Sequence, residues 1–165
     1  MDTHDTEGGQ ERTEFAGAVY GSLLAASVVA GSAVDGTPVS AGDLVVVLIC
    51  TGVVFWLAHV YAWVVSSRTQ PLTWERLRTA GRHDWPVAQA SFPPAIGAAF
   101  ASSLGLSDKA STWVALVVAV ASQTAWAVAA AVTARASARV VALSGAANLA
   151  MGLAIIALKT LVGSH

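Results

Sequence analysis

Charge is scarce in this chain. Only 12% of its 165 residues are Asp, Glu, Lys or Arg, against roughly a quarter in an ordinary soluble domain. No acidic residue lies deep in any long apolar run. That removes carboxylate pairs for general acid–base work and the buried carboxylate on which proton-coupled transport usually relies. Cysteine is almost missing: Cys50 stands alone, which excludes an internal disulfide and a CxxC metal or redox motif, and it reads as a small apolar packing residue. A net charge of −1 with no Lys/Arg run gives nucleic acid nothing to bind. His4, His83 and His165 fall in tails or a loop, and no glycine-rich phosphate cradle is present. Little remains for catalysis, so a non-enzymatic chain with no metal or cofactor is expected.

What fills the sequence is apolar. Hydrophobic residues make up 55% and mean hydropathy is +0.63. A helix needs about 20 mostly apolar residues to cross a bilayer, and five segments reach that length: 15–34, 43–66, 86–106, 111–134 and 138–162. The expected architecture is an all-α bundle of five transmembrane helices over residues 15–165. An acidic, polar stretch over residues 1–14 suits a disordered tail. Pro86, Pro93 and Pro94 interrupt the third segment, so a kink is expected near Phe92–Pro94, inside the bundle where neighbours satisfy the freed carbonyls. A re-entrant or interfacial course for 86–106 is the alternative. The small residues of "VAGSAVDG" would fit signal-peptide cleavage, but the region ahead is acidic where such a peptide is basic, which favours a retained span.

Arg12, Arg68, Arg76, Arg78, Arg82, Arg135 and Arg139 fall at one set of helix ends, and Lys109 and Lys159 at the other. Positive charge marks the cytoplasmic side, placing the N-terminus inside. The Ala/Val/Gly-heavy usage points to a bacterium with a GC-rich genome, and hence to its inner (plasma) membrane. The basic cytoplasmic loop at 67–85 interleaves Leu72, Trp74, Leu77 and Trp85 with Arg76, Arg78 and Arg82. That pattern suits a short interfacial helix. Trp74, Arg76, Arg78 and Arg82 form a candidate cytoplasmic interface for a partner or lipid, or serve only to set topology.

Within the apolar segments the polar inventory is short. His59 sits in "FWLAHVYAWVV", where an ionisable side chain is expected to face the bundle interior and to hydrogen-bond another span. Tyr20, Gln123 and Asn148 are its candidate partners, and together the four make a candidate polar core or pore. Gly17 and Gly21, Gly97 and Gly105, and Ser144 with Gly152 recur at helical spacing, as faces that let helices approach closely. Expected partners are the lipid bilayer and a second copy or another membrane subunit.

The stretches "FWLAHVYAW", "HDWP", "FPP" and "ALKTLV" make most of the chain resemble uncharacterised multi-pass integral membrane proteins of actinobacteria, a resemblance that implies no activity. Over a much shorter stretch the chain is similar to the lysosomal-type potassium channel family and its bacterial relatives. Trp56 and His59 fit that family's Trp-x-x-His pattern, and Arg12 precedes Phe15 as in its first-span signature. Ala16 and Gly17 stand where the family has Ser-Asp, the arginine spacing is one short, and five spans replace six. That resemblance implies an oligomeric cation channel or permease.

Overall fold

The computed structural model describes residues 3–32, 39–66 and 73–162, and the regular elements among them are all helices. In chain order these are α1 (Thr3–Gly31), α2 (Ala41–Ser66), α3 (Trp74–His83), α4 (Trp85–Gln89), α5 (Phe92–Ser103), α6 (Asp108–Thr133) and α7 (Ala138–Val162). Arg68 and Leu72 lie outside the described residues.

Short polar residues start the helices. The Ser40 hydroxyl accepts from the Asp43 N–H at 3.1 Å and donates to the Asp43 carboxylate at 2.7 Å. Thr73 and Ser107 likewise accept from the N–H groups of Arg76 and Ala110. Each satisfies a donor that the first turn leaves open. The ends are closed by backbone. Gly105 and Leu106 donate to Ser102 and Ala101, while Arg135 and Ala136 donate to Val132 and Ala131, the same paired closure at the ends of α5 and α6. At the left-handed position the first turn uses Gly105 (φ 78°) and the second Arg135 (φ 52°). A side chain there costs about 1–2 kcal/mol. Arg135→Gly is therefore expected to stabilise the protein by about 1 kcal/mol, read as a raised thermal midpoint in detergent; an unchanged or lower midpoint would contradict the strain.

α6 is the central helix, packed against α1, α5 and α7, while α2 packs against α4 and α5. The core is built from small residues: Ala26, Ala98, Ala115 and Ala119 are fully buried, with Leu44, Leu48 and Leu116 filling between them. α2 and α6 start at the same end of the bundle, where α1 and α7 finish. At one end the Ala41 N–H donates to Asp108 at 2.9 Å, and Lys159 reaches the carbonyls of Val29 and Ala30. At the other end Phe15 meets Trp126, and Trp56 donates to the Gly81 carbonyl.

α2, α6 and Ala138–Leu161 of α7 are each long and apolar enough to cross a membrane, and Phe15–Gly31 is a shorter apolar helix. α5, with 12 residues, covers about 18 Å at the helical rise. The interruption of the third apolar segment falls at Ala90–Ser91, ahead of the expected Phe92–Pro94. Proline fits the first turn of a helix, where its missing N–H removes no bond; Pro93 and Pro94 therefore open α5 instead of bending it. The backbone of α1 is helical from Thr3.

Candidate functional site

The four polar residues expected to share a core fall into two separate pairs. The first joins α6 to α7. Gln123 is fully buried, and its Nε2 donates to both the backbone carbonyl and the side-chain Oδ1 of Asn148, each at 3.3 Å. Asn148 Nδ2 in turn donates to the Ser144 carbonyl at 3.0 Å. Facing two oxygens, the Gln123 amide has only one sensible orientation, which leaves its buried Oε1 without a partner. The chain of bonds closes on α7 itself. It tethers two helices and leads nowhere.

The second pair joins α1 to α2. The His59 ring lies 5.7 Å from that of Tyr20, tilted by 58°, and both side chains are partly exposed on the flank of the bundle. Among the described residues the His59 ring bonds its own helix, where a partner on another span is expected. Its Nδ1 lies 2.8 Å from the Phe55 carbonyl of its own helix. A carbonyl cannot donate, so Nδ1 carries the proton in that bond. One helical turn separates Phe55 from His59, and a carbonyl so close competes well with groups across a helix interface. What α1 supplies is an aromatic face.

Tyr20 and Gln123 both line an open cleft of about 370 Å³ between α1, α6 and α7, whose other walls include Phe15, Val19, Leu23 and Met151. The lining is apolar except for those two side chains.

The small-residue positions divide in the same plain way. A Cβ on Gly17 would meet Val87, and one on Gly21 would meet the Val87 carbonyl at 2.5 Å and Ala90 Cβ at 2.8 Å. Both glycines seat α4 against α1. Gly97 lies over Val118 and Val114, and Gly152 over Val120, so these two lie against α6, as does the Ser144–Asn148–Gly152 stripe. Gly105 is the exception: among the described residues a Cβ there would meet nothing within 4 Å. It is a turn residue with positive φ, one turn beyond the packed part of α5, and spacing alone does not distinguish the two roles.

At the other end of α2, α3 forms the short helix that the Trp/Arg interleaving implied. Trp56 Nε1 donates to Gly81 at 2.8 Å and its ring meets Trp85 edge-on at 5.4 Å. The Arg76 guanidinium lies 5.2 Å from the centre of the Trp63 ring. Trp74, Arg78 and Arg82 are exposed.

Sequence reasoning missed three tethers: Trp56 to Gly81, Asp108 to Ala41, and Lys159 to Val29. An indole N–H, a carboxylate and an ammonium at the rims of apolar helices each demand a partner, which is the signal that was there to be used. Among the described residues, no group of three His, Cys, Asp or Glu could hold a metal ion. No protein family, curated protein or solved structure matches the chain.

Proposed function

We propose that this chain is an integral membrane protein of five crossings with a cytoplasmic N-terminus, acting without catalysis as an accessory subunit that binds another membrane protein. The observation that carries this reading is α7. Only 6% of its apolar window is buried; Leu143, Leu149, Leu153 and Leu158 all stand exposed around it. The buried Gln123–Asn148 amide pair fixes its rotation against α6, so the outward residues present a constant surface. A fixed, broad apolar helix face is what a second helix needs in order to pack in lipid, where van der Waals fit provides the association energy.

The test places a photo-crosslinking residue at Leu143, Leu149 or Leu153 in native membranes. The expected result is a discrete protein adduct of constant mass from at least one of the three, and none from buried Leu116. Lipid adducts alone from all three positions would overturn the reading.

A second reading, an oligomeric cation channel or permease, draws on the Tyr20–His59 contact. Its exposed flank position would line a path only between subunits. It requires potassium or proton flux through the purified protein in liposomes, altered by His59→Phe.

A further inference from the structure

The three arginines of α3 do different things. Arg76 turns inward over the Trp63 ring of α2. Arg78 and Arg82 are exposed, and among the described residues neither has an ion-pair partner. Trp74, Arg78 and Arg82 recur every fourth residue, so they share one stripe of the helix. Trp74 is 77% exposed. The opposite side, with buried Ala80 and the Gly81 carbonyl, is fastened to the bundle through Trp56. A helix held rigidly on one side thus presents an indole and two free guanidiniums on the other.

The surroundings fix the level at which this stripe sits. Arg76 meets Trp63 near the end of α2 and Gly81 meets Trp56 two turns further in, so α3 runs back along α2 from Trp74, past tryptophans of the kind that concentrate where hydrocarbon gives way to headgroups. Two acids lie nearby. Among the residues whose side chains are described, Asp84 is engaged by His83 at 3.2 Å and Glu75 is exposed on α3. Arg78 and Arg82 stand beside the tryptophans that mark the headgroup level, where a phospholipid phosphate can receive a guanidinium.

We propose that the Arg78–Arg82 face of α3 binds the anionic headgroups of the leaflet it lies against, with the two guanidiniums on the phosphates. The inference rests on the chain being embedded in a bilayer and is independent of what docks on α7. Each basic residue near a charged surface contributes about five-fold in affinity. Arg76 contributes position, holding α3 on α2, and its charge is directed at a ring.

Native mass spectrometry of the full chain in detergent, titrated with dioleoyl-phosphatidylglycerol or dioleoyl-phosphatidylcholine, tests this. Wild type is expected to retain phosphatidylglycerol preferentially. R78Q/R82Q should lose that preference by about five-fold per arginine, R78K/R82K should keep most of it, and R76Q should keep it whole. Helical circular dichroism of each variant reports folding, and the Lys pair keeps the test informative if the Gln pair misfolds. Equal retention of the two lipids by wild type would overturn the proposal and leave the stripe to an acidic protein segment. Undiminished preference in a folded R78Q/R82Q variant would overturn it as well. So would competition by millimolar inorganic phosphate, which would mark a free-anion site.

Discussion

Gly21→Leu is expected to separate α4 from α1 and to cost about 3 kcal/mol or more, the upper range for forcing volume into a closed contact. A Cβ at this position would fall 2.5 Å from the Val87 carbonyl oxygen, 2.8 Å from Ala90 Cβ and 3.1 Å from Val87 Cα. These are backbone atoms or atoms fixed to backbone, so no rotamer change relieves the clash. α4 cannot retreat either, because Ser91 and the Ala88 carbonyl lie 2.5 Å and 3.2 Å from where a Cβ on Gly52 of α2 would be. The five residues of α4 are clamped between two glycines. Denaturant titration in mixed micelles measures the loss, with Gly31→Leu as control: among the described residues a Cβ on Gly31 would meet nothing within 4 Å, and an effect within about 0.5 kcal/mol is expected there. Equal effects at the two sites would mean that α1 and α4 do not adjoin.

Lys159→Met carries the second large effect. The ammonium donates to the Val29 carbonyl at 2.8 Å and to that of Ala30 at 3.5 Å, at the end of α1 where the last carbonyls lack helical partners. A cation there also complements the helix dipole. Hydrogen bonds to a charged group contribute about 1.5–3 kcal/mol, and a loss of that size is expected on the same titration. Hydrogen exchange should rise in the last turn of α1 and stay unchanged at the start of α2. Protection unchanged at Val29–Gly31 would show that the lysine does not cap α1.

Much of the helical plan can be read from the residues, because apolar runs of 20 or more dictate helices wherever backbone groups must satisfy one another. The long helices α2, α6 and α7 follow directly from three such runs. The broken third segment was legible as broken, yet its prolines were assigned to the middle of a bend when they open a new helix. The choice depends on what packs against Ser91, namely Gly52 on another element. Gly105 shows the same limit: regular spacing marks a helix face only while the helix continues, and α5 ends at Ser103. For the polar residues, the sequence shows which groups must find partners and not which ones they find. Gln123 and Asn148 belong to each other because α7 returns antiparallel beside α6. His59 satisfies itself one turn back along α2. Val29 and Lys159 are 130 residues apart, and no local pattern connects them.

The arrangement of α7 has a consequence for biosynthesis. α1 to α6 contain the contacts of the core apart from those made by α7, and they precede it in translation. At about 5–20 residues per second, the central helix is flanked on two sides before α7 leaves the ribosome. α7 is therefore made after the Gln123 amide with which its Asn148 pairs. Asn148 finds that amide near mid-helix, and Lys159 completes the fit by closing on α1. The order of events makes Gln123 a docking mark for the final helix, set in place before its partner exists.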